Sequence, residues 1–309
     1  MMTHPRILNF RAARVAMVVA AAVAGAFLLQ GCAAFSGKPP LPKRASLERV
    51  PKPAATTDYS ALVAGAEVLY FPRERVGSSA RSDPAARLLD ALQQGGVPFA
   101  IAWDIIDASQ QELLNQLQTL PVEAREPLIA QLELLGTGRA REHARGVLRD
   151  PKMAGVTHLA IRLPAMLQAR LNSGEPLAPD EQKLLPGGFN LPASGLDFFA
   201  ERLPVSERAN TQAITGSYRA HVARQQFAAE QVVRHFRTVG GGGKLLVFLE
   251  SADLESEQGV PNFVAQKLSL RQIVLDSGAR TRPKLLTGLR GDGGGDLQVV
   301  DGAPRSGGH

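Results

Sequence analysis

Apolar and polar stretches alternate between residues 59 and 285 in a way that predicts strands and helices in turn. Short apolar runs suit buried strands, and the longer stretches between them carry apolar residues three or four positions apart, which is typical of helices. The predicted strands cover residues 61–71 (one strand, or two short pieces around Gly65), 97–103, 156–163, 244–249 and 271–276. Repeated strand–helix–strand order predicts an α/β domain with a mainly parallel sheet, helices on both faces and long helical insertions.

Helix-start signals accompany the helical stretches. Asp83-Pro84 places an N-cap residue before a proline at the first helical position. Ser109 and Glu112 have the spacing of a capping box, which predicts a helix start there. Further helices are predicted over residues 123–135, 139–148, 164–172, 179–185, 206–238 and 261–268. Because ligands of parallel sheets bind beyond the carboxyl ends of the strands, we expect a site near Gly65, Asp104 and residues 250–253.

The first 31 residues have the parts of a secretion signal. Arg6, Arg11 and Arg14 precede an apolar run over 15–29, which is shorter than the roughly 20 residues that a spanning helix needs. The run ends in L-Q-G-C, which resembles the lipobox of bacterial lipoproteins. That resemblance implies cleavage before Cys32, a diacylglycerol on its thiol, an acyl chain such as palmitate on the new amine, and an outer-membrane lipoprotein facing the periplasm, with the inner membrane as the alternative. An uncleaved membrane helix is the other interpretation of this segment.

Composition bounds what the remaining chain can do. Residues 32–58 hold five prolines and predict an extended tether, whereas the glycine-rich residues 286–309 predict a disordered tail. Cys32 is the single cysteine, so a lipidated chain has no thiol left for a disulfide or a metal site. Removing the three signal arginines lowers the formal net charge from +6 to +3, and nothing in that balance indicates a nucleic-acid partner.

Sequence motifs exclude several classes of enzyme. The chain contains no phosphate-binding Walker loop, no dinucleotide glycine fingerprint, no G-x-S-x-G and no H-E-x-x-H. The four glycines at 240–243 precede a predicted strand rather than a helix, so they favour a flexible turn over a phosphate cradle. No nucleophile–base pair can be read, and we expect no catalytic residues.

Four stretches resemble the motifs of one family. They read W-D-I-I-D-A-S-Q-Q at 103–111, R-L-P at 162–164 with L-A-P-D-E-Q-K-L-L-P at 177–186, Y-R-A-H at 218–221, and G-V-P at 259–261 after the apolar run 245–249. The region in which they occur, residues 61–276, makes up roughly two-thirds of the chain. The order and spacing resemble the ChaN-like domain, the haem-binding-uptake branch of the Tiki/ChaN superfamily.

The departures from that family fall on polar positions. Residues 65–68 stand where the family has G-E-x-H, and Asp104 stands where it has an acidic residue after the second strand. Residues 225–226 replace the D-E of the family's long helix, and Asp253 replaces the histidine of its G-N-G-H. Two histidines and at least two carboxylates that related Tiki proteins use for a metal are therefore replaced. Asp104 and Asp253 alone suit a hard cation such as Ca²⁺ or Mg²⁺, or are solvated loop residues, and the identity of any metal stays open.

The candidate ligand pocket has six members: Gly65, Glu67, Tyr70, Asp104, His221 and Asp253. Tyr70 is either an axial phenolate for haem or a packed aromatic side chain. His221 and His235 are 14 residues apart on the long helix and share a face, where they either meet a haem or face water. Glu67 is either a shifted family position or a water-facing residue, and Trp103 either lines the pocket or fills the core.

Three functions follow from the resemblance. The first is a membrane-anchored, non-enzymatic lipoprotein that binds haem in iron acquisition, with a homodimer as a possible assembly. The second is a scaffold that keeps the fold and binds an envelope component or a protein partner without haem. The third is a metal-dependent hydrolase related to the Tiki proteins, which the loss of the family histidines disfavours.

Overall fold

The computed structural model describes residues 46–50, 57–76, 83–187, 189, 191, 194–202, 210–240, 242–255 and 259–275. The predicted signal over 1–31, Cys32, most of the predicted tether and the predicted tail over 286–309 lie outside the described residues. Within the described part, no helix is long and apolar enough to cross a membrane.

A parallel sheet forms the centre of the domain. Its strands are β1 (Ser46–Val50), β2 (Val68–Pro72), β3 (Phe99–Asp107), β4 (Thr157–Arg162), β5 (Lys244–Leu249) and β6 (Arg271–Leu275). They lie in the order β1-β6-β2-β5-β3-β4, and every neighbouring pair is parallel. Every residue of β2 and β5 is buried, which explains why these strands read as continuous apolar runs.

Helices cover both faces of this sheet, and the predicted α/β fold class is confirmed. The helices are α1 (Tyr59–Gly65), α2 (Pro84–Gln94), α3 (Gln111–Thr119), α4 (Glu126–Gln131), α5 (Gly138–Arg149), α6 (Ala165–Ser173), α7 (Pro179–Leu184), α8 (Ser194–Arg202), α9 (Thr211–Val239), α10 (Ser251–Glu255) and α11 (Val260–Ala265). Side chains alternate across the sheet because successive strand residues point to opposite faces. Leu69, Trp103 and Phe248 pack with helices α1 to α5 on one face, and Tyr70 and Val247 pack with α9 and α11 on the other.

Of two helix caps predicted from local sequence, one is observed and the other is not. Asp83 caps α2 as predicted, since its side chain accepts a 3.0 Å hydrogen bond from the amide of Ala85. Ser109 does not cap a helix. Asp107 accepts hydrogen bonds from both the amide and the hydroxyl of Ser109, at 2.9 and 2.8 Å, and holds a short 3₁₀ turn that precedes α3. The carboxylate wins this competition because an ionised acceptor makes the stronger hydrogen bonds.

The beginning of the domain differs most from the prediction. Residues 61–65, predicted as strand, belong to α1, which Asp58 caps through the amide of Ala61 at 3.0 Å. Tyr59 and Val63, four positions apart, bury one face of this helix, so the apolar stretch before Gly65 follows a helical period. Strand β1 lies within residues 32–58, predicted to be a tether, and it pairs with β6 at the edge of the sheet.

One close approach fixes the long helix. Helices α6 and α9 pack against each other, and a side chain at Gly216 would collide with the main-chain carbonyl of Asn172. Gly216 is therefore required by the packing of two helices rather than by a turn. Gly216 lies in the second turn of α9, so this contact fixes the first part of that helix against α6.

Candidate functional site

Charged side chains gather at the edge of the sheet where the parallel strands end. Strands β2 to β5 contribute residues from their carboxyl-terminal parts or from the position that follows, and helices α9 and α10 supply the others. We call this group the C-terminal cluster; it consists of Arg73, Asp104, Arg162, His221, Arg224, Glu250 and Asp253. Such an edge is where open α/β sheets bind their ligands, so this cluster is the candidate site.

Arg73, directly after β2, holds the acidic half of the cluster together. Its Nη1 donates to Oδ1 of Asp104 at 3.1 Å, and its Nη2 donates to Oε2 of Glu250 at 3.2 Å. The other carboxylate oxygen of Asp104 accepts a 2.9 Å hydrogen bond from the amide of Glu250. Burial raises the pKa of Asp104 to about 7, against the opposing effect of the Arg73 guanidinium. The Asp104 carboxyl therefore titrates near neutral pH.

Arg224 on α9 holds the second acidic group. Its Nη2 donates to Oδ1 of Asp253 at 2.8 Å, and the side-chain amide of Gln225 donates to the same oxygen at 3.2 Å. Burial pushes the pKa of Asp253 upward, but the Arg224 guanidinium, together with His221 and Gln225, outweighs it, and the pKa is lowered. Asp253 therefore stays ionised to a lower pH than Asp104, because Arg224, His221 and Gln225 together stabilise its charge.

His221 lies on the same face of α9 as Arg224 and Gln225. Its Nδ1 is 3.8 Å from Oδ1 of Asp253, and its Nε2 is 3.0 Å from the side-chain nitrogen of Gln225. The ring packs against Phe199 of α8, with 5.2 Å between centroids. The His221 side chain is 18% exposed, so this imidazole reaches solvent while its orientation is held.

The structure brings together only half of the predicted pocket. Asp104, His221 and Asp253 meet in the C-terminal cluster. Tyr70 does not; it is buried in the middle of β2, its hydroxyl donates to Oε1 of Gln272 at 2.6 Å, and burial raises the pKa of its phenol well above 10.0. The alternative of a packed aromatic side chain therefore describes Tyr70.

Gly65 and Glu67 lie at the opposite edge of the sheet, before β2 begins. A carboxylate oxygen of Glu67 accepts a 2.9 Å hydrogen bond from the amide of Arg271, at the start of β6. The prediction misplaced both residues because it assigned residues 61–65 to a strand, and its version with two short pieces around Gly65 put that residue at a strand end. The alternative that His221 and His235 act together finds no support either: burial lowers the pKa of His235, whose ring packs on Phe236.

Sequence reasoning missed the arginines of the cluster. Arg73 and Arg162 each stand at the carboxyl end of an apolar strand, Arg73 directly after Pro72 and Arg162 two positions before Pro164. A charged residue directly after a buried strand was the available signal. Arg224 carries no such signal, because it is one of many polar residues on a long helix.

The cluster is an ion-pair network rather than a metal cage. Among the residues that the structure describes, no group of three or more histidine, cysteine, aspartate or glutamate side chains is arranged to hold a metal ion. Asp104 and Asp253, considered above for a hard cation, each bind a guanidinium instead. A cation at either carboxylate would have to displace an arginine.

Comparison with known proteins finds a similar fold but no similar sequence. No family model and no curated protein matches the chain. Among solved structures, the chain is similar to ChaN of Campylobacter jejuni, described as showing cofacial haem binding, with 13% identity over 72% of this chain and 88% of that one and a TM-score of 0.53. The chain has a ChaN-like fold, which confirms the family resemblance at the level of fold.

A second solved structure shares less. It is a mutant erythromycin esterase in its open conformation, with 17% identity over 71% of this chain and 67% of that one and a TM-score of 0.36. At that TM-score the likeness carries no argument about activity.

Proposed function

We propose that this protein is a ChaN-like lipoprotein that binds haem in iron acquisition and carries no enzymatic activity. Lipid on Cys32 would hold it at the periplasmic face of the outer membrane, and residues after Cys32 would let the domain reach away from the lipid surface. The observation that carries the proposal is the position of His221. It is an oriented, solvent-reachable imidazole beside guanidinium groups, at the ligand-binding edge of a ChaN-like sheet.

The donor set of the chain fits haem. Haem iron takes imidazole, thioether, thiolate or phenolate ligands, and the propionates require cations. The three tyrosines of the chain, Tyr59, Tyr70 and Tyr218, are at most 5% exposed, which removes phenolate from the choice. His221 is the imidazole of the cluster, and Arg162 and Arg224 are the nearby cations. Haem bound here would supply the iron that the protein carries.

One thioether competes with His221 for the role of axial ligand. Met166 is 77% exposed near the start of α6, which follows β4 at the same edge of the sheet. We favour His221 because its ring is held by Phe199 and Gln225, whereas an exposed methionine side chain loses more conformational freedom on binding. A variant at Met166 belongs in the test for this reason.

Haem titration of the purified mature protein tests the proposal. A Soret shift that saturates at one haem per chain, or per dimer, is the expected result. His221→Ala should lower the affinity by roughly tenfold or more, since losing one iron ligand costs at least 1.4 kcal/mol. His235→Ala, on the same helix but away from the cluster, is the matched control and should bind like the wild type.

Two outcomes contradict the proposal. The first is the absence of any Soret shift with the wild-type protein. The second is a shift that His221→Ala and Met166→Leu both leave unchanged, which would place the iron elsewhere.

The membrane part of the proposal has its own test. Cys32→Ala should abolish metabolic labelling of the protein with radioactive palmitate and leave an unprocessed chain in the cell. Cys32→Ser is the conservative control, and it should fail in the same way because the thioether bond requires sulfur. Palmitate incorporation into either variant would refute lipidation at Cys32, while fractionation of the wild type distinguishes the outer from the inner membrane.

A further inference from the structure

Arg162 differs from the other arginines of the C-terminal cluster in what it binds. Its Nη1 donates a long 3.4 Å hydrogen bond to the main-chain carbonyl of Asp104, and its Nε is buried without a hydrogen-bond partner. Within the part of the chain that the structure describes, no carboxylate forms an ion pair with its guanidinium. Arg162 is therefore a cation whose charge no described side chain neutralises by contact.

Each carboxylate of the cluster already forms an ion pair with Arg73 or Arg224. Glu250 is shared, at 3.2 Å from Arg73 and 3.6 Å from Arg224. Asp104 binds Arg73, and Asp253 binds Arg224. Arg73 and Arg224 are therefore each paired with carboxylates, whereas Arg162, which lies near both, forms no ion pair with a described carboxylate.

The surroundings of Arg162 favour an incoming anion. Burial, then the neighbouring Arg224 guanidinium, lowers the pKa of Arg162, so its positive charge is held at a cost. Arginine stays protonated in proteins, and a partly buried, unpaired charge gains most from an ionised partner. The side chain is only partly buried and ends β4 at the ligand edge, so a solute can reach it.

We propose that Arg162 binds a carboxylate group of the ligand at this edge. The inference rests on the proposed function in one respect: if the ligand is haem, the group is a propionate. Guanidinium suits this role because its planar fork makes two parallel hydrogen bonds to one carboxylate, which a lysine does not. The expected bonding atoms are the two terminal nitrogens of Arg162, because Nε is buried, and Nη1 now makes only the long bond to the carbonyl of Asp104.

The first experiment compares haem with haem dimethyl ester, in which both propionates are esterified. The wild-type protein should bind haem roughly tenfold or more tightly than the diester, as expected for losing one hydrogen-bonded charge partner. Arg162→Gln should bind both forms with similar affinity. Arg162→Lys, which keeps the charge and loses the fork, should fall between the two.

A matched control removes one positive charge elsewhere. Arg170 on α6 is 40% exposed and pairs with Glu181 at 3.2 Å, outside the cluster. Arg170→Gln should discriminate between haem and its diester as the wild type does. Equal affinity of the wild type for haem and diester, or full discrimination by Arg162→Gln, would overturn the inference.

A second measurement separates this inference from the proposed function. Succinate should raise the melting temperature of the wild-type protein above that in sodium chloride of equal ionic strength, and Arg162→Gln should lose that increment. If the wild type binds no haem but shows the Arg162-dependent succinate effect, the proposed function fails and carboxylate binding stands. Haem binding that is indifferent to Arg162 and to esterification, without a succinate effect, refutes the inference alone.

Discussion

The indole nitrogen of Trp103 donates a 3.1 Å hydrogen bond to Nδ1 of His158, across the pair of neighbouring strands β3 and β4. Trp103 also stacks on Phe248, with 4.8 Å between ring centroids and 9° between planes. Accepting from an indole N–H requires an unprotonated Nδ1, so His158 is neutral in this arrangement. Trp103 is the single tryptophan, and its fluorescence therefore reports on this pair alone.

His158 should make the protein less stable in acid. Burial, aided by Arg125, lowers the pKa of His158 from 6.5 to about 3. Between these two pH values His158 is protonated in the unfolded chain but not in the folded one. The free energy of unfolding therefore falls as the pH drops from about 6.5 toward 3. Urea unfolding followed by Trp103 fluorescence at pH 7, 6, 5 and 4 should show this loss.

His158→Gln, which keeps an acceptor for the indole, should flatten that dependence. His235→Gln is the control, because His235 is less buried and should account for less of the slope. A slope that His158→Gln leaves intact would show that another group causes the acid sensitivity.

Asp104 should make the protein less stable as the pH rises, which is opposite to the effect expected for His158. Its folded pKa of about 7 exceeds the ordinary value of 3.8, so the folded state binds the proton more tightly and the free energy of unfolding falls as the pH rises from about 4 to 7. Asp104→Asn removes this titration. The free energy of unfolding of the wild type should therefore fall relative to that of Asp104→Asn between pH 4 and pH 7, measured by urea unfolding, and a constant difference would contradict the raised pKa.

Gly216→Ala should destabilise the packing of α6 and α9. The added methyl group would meet the main-chain carbonyl of Asn172, which cannot rotate away, and overpacking of this kind costs about 1–3 kcal/mol. Gly146→Ala in α5 is the matched control. Nothing lies near the position of its new methyl group, so helix propensity alone predicts stabilisation by about 0.5–1 kcal/mol. Thermal unfolding by circular dichroism should separate the two variants, and equal effects would refute the close contact.

Gln111→Ala should loosen the edge strand β4. Its side-chain oxygen accepts from the amide of Ala160 at 2.7 Å, and its nitrogen donates to the carbonyl of His158 at 3.0 Å. The variant leaves the part-buried amide of Ala160 without this partner, which costs about 1–3 kcal/mol, while Gln118 still donates to the carbonyl of His158 at 3.3 Å. Gln116→Ala, on the exposed face of the same helix, should change stability by less than about 0.5 kcal/mol. Hydrogen exchange at Ala160 would locate the effect in Gln111→Ala.

The D-x-x-Q-Q segment that carries part of the family resemblance thus has a structural role in this chain. Asp107 binds the amide of Ala165 at 2.7 Å, at the start of α6, and Gln110 binds the amide of Glu133 at 2.9 Å. Together with Gln111, these side chains bond main-chain groups of three separate segments. In this chain the segment therefore holds β4 and the start of α6 in place.

The sequence by itself determined the elements whose signals are local. The strand over residues 244–249 was predicted with its observed bounds, because a strand buried on both faces is a continuous apolar run. Helix α2 was predicted from Asp83-Pro84, since a cap and a first-turn proline act within one helical turn. Asp104, His221 and Asp253 were found because they follow strands or carry the family motifs.

Only the tertiary structure decided what those residues contact. Asp104 meets Arg73 across 31 positions of sequence, and the pairing depends on β2 and β3 ending at the same edge with β5 between them. No local period encodes that strand order, so Arg73 and Arg224 were missed, and an early strand start misplaced Gly65 and Glu67. Burial, which raises the pKa of Asp104 and leaves Arg162 without an acid, is a property of the packed domain because it depends on the removal of water by distant segments.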